Sequence, residues 1–452
     1  MWFPSILLAA ISNLRFPFEL KDDQLQAVEA WIHNRCVGSV IFSTGTGKTE
    51  IAFECARRMA DIVLATNRSS TFLSTEKQMN LKVFTILFLV PRIVLIGQNV
   101  ERLIKYGLSA EHIGIYFGER KDIREITIST YQSAINNLDL IRKADLVILD
   151  EIHLISETAS EYSKIFAVIA EDPNKGVLGL TATIDDTDPK YSTIMSIAPP
   201  VKKYMIREAV NDGRLAKPQI IPQMVKFTIH EQAIYDDTSR RIRELSRKLG
   251  QFNPGIISMM LTKGGYRAKL AKSWFENVRK RKELLSTATN KLYAVIKIVK
   301  EHPHEPIMIF SETISSIKKL EEMLTANGIK ANVIHNEISI RDRKEILKRW
   351  GKEFYPLLSV HTLEIGYDIP QVRIAIIIAN SSNVNQITQR IGRVIRKSIG
   401  KNDALIYIVY VKDTKDNNIL KIVKSTINME ESKTQLKLPN HSGQRRMSEF
   451  YS

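Results

Sequence analysis

The stretch Ile41-Phe42-Ser43-Thr44-Gly45-Thr46-Gly47-Lys48-Thr49 constrains this chain more than any other. The apolar run Val40-Ile41-Phe42 ends in a polar, glycine-bearing turn, and Glu50 to Ala56 then reads as a helix. Strand, loop and helix N-terminus in that order build an anion site. Backbone N–H groups and the positive end of the helix dipole converge there on phosphate oxygens. Lys48 is expected to reach the β- and γ-phosphates, and the Thr49 hydroxyl to ligate Mg²⁺. Phe42 stands where the first glycine of G-x-x-x-x-G-K-[ST] is expected, which leaves the T-G-x-G-K-T core intact.

A second stretch completes that chemistry. Asp145-Leu146-Val147-Ile148-Leu149-Asp150-Glu151-Ile152-His153 contains four consecutive apolar residues, the pattern of a parallel strand buried on both faces. It delivers two adjacent carboxylates to the edge that carries the phosphate loop. Asp150 is suited to holding a Mg²⁺ that bridges the β- and γ-phosphates, and Glu151 to orienting and deprotonating the attacking water. Thr181 and Thr183, flanking Ala182 at a further strand end, are placed to hydrogen-bond His153 or Asp150 and so report the nucleotide state. Upstream, Gln24 offers one acceptor and two donors, which suits the edge of adenine, with Phe18 as a stacking partner. The competing reading of that segment is an amphipathic helix start capped by Asp22 or Asp23.

The net charge of +16 over 452 residues favours a polyanionic partner, nucleic acid or an acidic membrane surface. The length is enough for roughly three ordinary domains. Two cysteines, Cys36 and Cys55, cannot make a disulfide framework or a zinc site and suit a reducing compartment. The apolar opening, residues 3–11, is too short to span a bilayer and lacks a basic leader, so neither a signal peptide nor a transmembrane segment is expected. A cytoplasmic location is expected, in the host cytoplasm if viral, with no membrane partner and a monomeric state.

Residues 226–290 carry 14 Lys/Arg against 6 Asp/Glu in a helical pattern broken by Pro254-Gly255 and Gly264-Gly265. Tyr266, Trp274 and Phe275 are interleaved with Lys263, Arg267, Lys269, Lys272 and the run Arg279, Lys280, Arg281 and Lys282. Cations for phosphates beside aromatic faces for bases form a nucleic-acid pattern, against the alternative of core aromatics under solvated lysines. Earlier, Thr66 to Asn80 is polar and reads as an inserted surface loop. The strand ends Pro91-Arg92 and Thr130-Tyr131-Gln132 face the ligand crevice of an open sheet and are candidate backbone contacts. A second α/β unit begins near Lys291, with a buried strand Ile307 to Ser311. Near its end, Arg393 and Arg396, three apart, are expected on one helix face, where two guanidiniums can stabilise charge on a transferring phosphoryl group.

In this order the motifs resemble those of a superfamily two helicase of the DExH type. The match runs from about residue 18 to residue 400 and rests on Gln24; Ser43 to Thr49; Pro91-Arg92; Thr130 to Gln132; Asp150 to His153; Thr181 to Thr183; Phe310-Ser311; Thr362 to Pro370; and Gln389 to Arg396. The resemblance implies two tandem RecA-like parallel-sheet lobes with ATP and Mg²⁺ between them, and a basic helical segment between the lobes. Thr44, Gly45, Thr46, Gly47, Lys48, Thr49, Asp150 and Glu151 are then expected from the first lobe, and Gly366, Asp368, Gln389, Arg393 and Arg396 from the second. Ser311 and Thr362 join the nucleic-acid contacts. The implied boundaries are 1–205, a linker and basic segment 206–290, a second lobe 291–428 and a loose tail 429–452. Arg207 to Pro218 and Glu364-x-Gly366-x-Asp368-x-Pro370 look most like the branch of UvsW-type phage helicases, XPB-type helicases and restriction translocases. Asp23, where that branch often has an aromatic, and His335-Asn336, for the commoner His-Gly, depart from the pattern. The expected activity is ATP-dependent unwinding or branch migration of branched or forked DNA. The rivals are an RNA helicase or transcript-release ATPase, and a binding scaffold with a dead site, although no required carboxylate or arginine is missing.

Overall fold

The computed structural model describes residues 9–71, 83–155, 160–184, 191–262, 264–335, 337–360, 372–378, 384–398 and 400–427. Thr362, Gly366, Asp368 and the tail 429–452 lie outside them.

The apolar runs fold as strands because each has helices over both faces, so no alternation of polar residues is needed. The first sheet contains β1 (Val37–Phe42), β2 (Ile86–Val90), β3 (Ile113–Phe117), β4 (Arg120–Lys121), β5 (Ile126–Thr130), β6 (Leu146–Asp150), β7 (Gly176–Thr181) and β8 (Pro200–Tyr204). Their order is β4-β3-β5-β2-β6-β7-β1-β8, parallel throughout except for the short β3–β4 edge pair. The second sheet contains β9 (Lys217–Val225), β10 (Ile307–Ser311), β11 (Asn332–Ile334), β12 (Pro356–Val360), β13 (Ile374–Ile377) and β14 (Asp403–Val411), in the order β11-β12-β10-β13-β14-β9, all parallel. The fold is therefore the expected pair of RecA-like lobes.

Strand β9 comes from the stretch expected to be linker. Its Pro218 and Pro222 pair in register with Ala404 and Ile408 of β14, and β9 has no other neighbour. An edge position tolerates proline because the missing N–H costs no ladder bond. The connection between the lobes is consequently short, running from the end of β8 through the helix Ile206–Asn211 to β9. Ile206, Ala209, Leu215 and Ala216 in this connection carry one apolar cluster from a face of the first sheet onto a face of the second.

The basic segment folds as three helices, Ile229–Leu249, Pro254–Leu261 and Gly265–Thr287, so only the middle one is short. They share a small core of Ile242, Leu249, Ile257, Ala271 and Trp274. Their base is joined to the second lobe by a cluster of Phe227, Tyr235, Leu285 and Val411. Just beyond it, Lys291 and Asp416, both fully buried, form an ion pair at 2.6 Å. The helix after the phosphate loop runs from Lys48 to Thr71, so 66–71 are helical rather than the expected loop. The Thr66 hydroxyl bonds back to Ile62 O at 2.9 Å, satisfying itself within the helix. No described helix is long and apolar enough to cross a membrane.

Candidate active site

Strand β1 ends at Phe42, where ordinary extended backbone needs no glycine, and the Phe42 ring packs on Tyr204 with centroids 5.1 Å apart. Glycine is required later. Gly45 and Gly47 have φ of 87° and 89°, and a Cβ on Gly47 would lie 2.2 Å from Gln24 Nε2. The loop closes through Thr46 Oγ1 donating to Ser43 O at 2.7 Å. Lys48 curls back and donates to Phe42 O at 3.1 Å. Gln24 is spent on the loop: it accepts from Lys21 N at 2.9 Å and donates to Thr46 O at 3.1 Å and Gly47 O at 3.3 Å. Its side chain is buried, and in this structure it braces the phosphate loop rather than pointing into open space. Phe18 remains half-exposed and sits edge-on to Tyr106 at 5.9 Å.

One cavity is lined by Thr44, Gly45, Gly47, Lys48, Thr49, Asp150 and Glu151 from the first lobe and by Arg393 and Arg396 from the second. Gln98, Asn99, Arg102 and Lys105 of the helix Ile93–Lys105 also line it, a contribution the sequence did not announce. Arg102 is 3.5 Å from Glu50, which also accepts from Tyr106 OH at 3.1 Å.

The buried charges explain one another. Burial pulls the Lys48 ammonium below the usual lysine range, opposed by Glu151 and Asp150. Burial, and then repulsion from Glu151, push Asp150 up to about 7. Burial alone would raise Glu151 as well, but the His153 hydrogen bond, Lys48 and Arg393 together hold it below the ordinary carboxylate range. Glu151 is thus an ionised base, and Asp150 is a carboxylate whose charge wants a further cation. That donor set, with the Thr49 hydroxyl beside it, fits Mg²⁺ coordinated jointly with phosphate oxygens. Glu151 is also held at φ 53°, ψ 50°, a left-handed conformation costly for a non-glycine residue and typical of a site that fixes a reacting group.

A series of close polar contacts leads away from Glu151. His153 Nδ1 lies 3.3 Å from the Glu151 carboxylate and 2.9 Å from Thr181 Oγ1. The Thr181 hydroxyl also lies 3.0 Å from Thr183 O and accepts from Thr183 N at 3.2 Å. Tyr131 OH donates to Asp150 O at 2.7 Å. That contact replaces the surface role expected of Tyr131, which is buried against the carboxylate strand.

From the second lobe, Gln389, Arg390 and Arg393 are buried on the helix Val384–Val394, and Arg390 stacks over Phe310 at 5.8 Å. Arg396 lies beyond that helix rather than on its face. It forms an antiparallel bridge with Leu215, and its side chain crosses Gly45, where a Cβ would meet its Cγ at 2.8 Å. Gly392 is tighter still: a Cβ there would fall 1.5 Å from Thr44 Oγ1 and 2.7 Å from Thr44 Cβ.

The candidate nucleic-acid residues divide by exposure. Arg92 and Gln132 are exposed at the ends of the adjacent strands β2 and β5, on the edge that carries Asp150, and Pro91 is half-buried beside them. Thr130 caps its helix by accepting from Ser133 N at 3.2 Å. Ser311 is buried and bonded to Ser316 Oγ at 2.5 Å, so its side chain does not reach the surface. Arg279 and Lys280 are exposed, Lys282 pairs with Glu312 at 2.7 Å, and Arg281 is half-buried. Trp274 is buried with its indole N–H bonded to Ser246 at 2.8 Å, and the half-buried Phe275 packs edge-on to it at 4.9 Å. Tyr266 is the exposed aromatic of the three, at 72%.

Two family models match the chain. They are "Type III restriction enzyme, res subunit" over residues 17–186 and "Helicase conserved C-terminal domain" over residues 290–398. The DNA 3'-5' translocase XPB2 of Sulfurisphaera tokodaii is 27% identical over 421 residues, 90% of this chain and 86% of that one. The DNA 3'-5' helicase XPB of Mycobacterium tuberculosis is 25% identical over 346 residues, covering 74% of this chain and 54% of its own. Among solved structures, the Pyrococcus furiosus Hef helicase domain aligns with 89% of this chain and 99% of its own at a TM-score of 0.52 and 18% identity. The DNA-bound Type ISP restriction-modification enzyme LlaBIII aligns with 91% of this chain and 30% of its own at 0.59 and 17%. At such identities these two structures bear on the fold alone.

Proposed function

The chain is a superfamily two helicase, an ATP-hydrolysing enzyme, and from that premise we propose that it is an ATP-driven DNA translocase of the XPB type acting on forked or branched duplexes. The observation that carries the reading is the shared cavity. Lys48, Asp150 and Glu151 of one lobe line the same space as Arg393 and Arg396 of the other. Three cations converge where a triphosphate puts its charge, beside an ionised carboxylate able to take the proton of an attacking water. Asp150 and Thr49 would hold Mg²⁺, which would supply further neutralisation of phosphate charge. The two arginines reach the γ-phosphate only while the lobes are closed, so hydrolysis loosens the closure and alternation moves a strand. Arg92 and Gln132 on the sheet edge, with Arg279 and Lys280 on the basic helices, are the proposed phosphate contacts. Tyr266 is the proposed base-stacking or strand-separating aromatic.

The test is a side-by-side panel of forks, four-way junctions, R-loops and linear duplexes, with ATPase stimulation by DNA and by RNA. Unwinding or branch migration of the branched substrates, with stronger stimulation by DNA, is the expected result. Equal activity on linear duplexes defeats the branched-substrate reading, and preferential stimulation by RNA defeats the DNA reading.

A further inference from the structure

The short connection between the lobes is fastened on two sides to the phosphate site. On one side the Arg214 guanidinium pairs with the Asp23 carboxylate and donates to Thr46 O at 2.8 Å. Gln24 donates to the same carbonyl, so the residue two before Lys48 is held by one side chain from the connection and one from the helix Asp22–His33. On the other side, Leu215 bridges Arg396, Ala216 N donates to Ile395 O at 2.7 Å, and Lys397 Nζ donates to Gly213 O at 2.9 Å. Four consecutive residues, 213–216, therefore touch both the loop that holds phosphate and the backbone that carries Arg396. The Arg214 and Asp23 side chains are only 20% and 13% exposed, so solvent screens this pair less than an ordinary surface pair.

We propose that Arg214 is a positioning residue: by clamping the connection onto Thr46 and Asp23, it sets the register of the bridge that aims Arg396 at the γ-phosphate. Arg214 does not line the nucleotide cavity, so it acts through Arg396 rather than on the substrate. The planar guanidinium reaches the carboxylate and the carbonyl from two separate nitrogens in a fixed geometry, which the single ammonium of a lysine does not reproduce. The proposal rests on the ATPase reading of the site.

The experiment is a double-mutant cycle on the full chain. Arg214→Ala is made in the parent and in Arg396→Ala, with single-turnover ATP hydrolysis, KM for ATP and thermal melting measured with forked DNA present. In the parent, Arg214→Ala is expected to slow hydrolysis about 10- to 100-fold with little change in KM, the cost of misplacing a group by about 1 Å. In the Arg396→Ala background the same change is expected to add less than about twofold, because two residues acting as a unit are non-additive. A rate within about twofold of the parent, or an equal loss in both backgrounds, overturns the proposal; the second outcome marks a mere brace on the loop. If Arg214→Ala lowers the melting temperature by more than about 5 °C, Arg214→Lys carries the same cycle. Arg396→Ala alone is the control on the premise. Parental hydrolysis by that variant overturns both the site reading and this proposal. A crippled Arg396→Ala beside an active Arg214→Ala overturns the proposal alone.

Discussion

Replacing Gly392 by alanine asks whether the lobes must meet as closely as they do here. The added Cβ would lie 1.5 Å from Thr44 Oγ1 and 2.7 Å from Thr44 Cβ. Rotating Thr44 about χ1 moves the hydroxyl aside but leaves Cβ in place. Carbon–carbon contact settles near 3.5 Å, so the helix must retreat by about 0.8 Å even after the best rotation. Arg393, the next residue, retreats with it. A displacement approaching 1 Å at a catalytic group costs about 10²-fold, and kcat is expected to fall by about that factor. Stability should move the other way or stay level, since alanine in a helix is favoured over glycine by about 1 kcal/mol. The assay is steady-state ATPase with saturating forked DNA, together with binding of a fluorescent ADP analogue and a melting curve. A variant that melts at or above the parent, binds ADP normally and hydrolyses slowly fits the reasoning. One that hydrolyses within about threefold of the parent refutes it, because the lobes would then not need this contact to react.

Lys48→Ala and Glu151→Gln are each expected to abolish hydrolysis while DNA affinity by fluorescence anisotropy persists; near-parental turnover in either breaks the site assignment. Removing charge at Arg279 and Lys280 should weaken DNA binding and reduce the slope of log K against log salt by about 0.7–0.9 per lost phosphate contact, read from a salt titration. Because Asp150 is raised to about 7 by burial and Glu151, a proton competes with the cation below that pH and not above it. Half-saturating Mg²⁺ for the ATPase should therefore rise toward tenfold per unit as pH falls below about 7 and flatten above it, and chelation should stop turnover. Lys291→Met leaves the Asp416 carboxylate buried without its ammonium and should cost about 3–5 kcal/mol in a denaturant titration. Burial already raises Asp416, so its folded pKa sits above the unfolded one. The loss should be small in acid and grow as pH rises through the carboxylate range.

The elements built on local signals were legible in the sequence. Apolar runs such as Ile86–Val90 and Leu146–Asp150 are strands, Gly45 and Gly47 need positive φ, and Asp150 and Glu151 follow a buried strand. What escaped depends on distant partners. Nothing near Val394 announces the helix end that puts Arg396 into a bridge with Leu215, some 180 positions earlier in the chain. Tyr131 reads as a polar strand end, yet its hydroxyl finds Asp150 O and buries the ring. Trp274 looks available beside its lysines until Ser246 is seen to take its N–H. The stretch expected to be linker supplies β9, whose Pro218 and Pro222 are tolerated because it lies at the sheet edge.

The placement of β9 has a mechanical consequence. The three basic helices leave the second sheet after β9 and return to it through the helix Thr289–Glu301 and β10, so both of their roots lie in the same slab. They behave as an outrigger bolted to the lobe that bears Arg393, not as a tether slung between two bodies. A rotation of the second lobe about the connection at residues 205–216 would therefore sweep the far end of these helices further than it moves the nucleotide cavity.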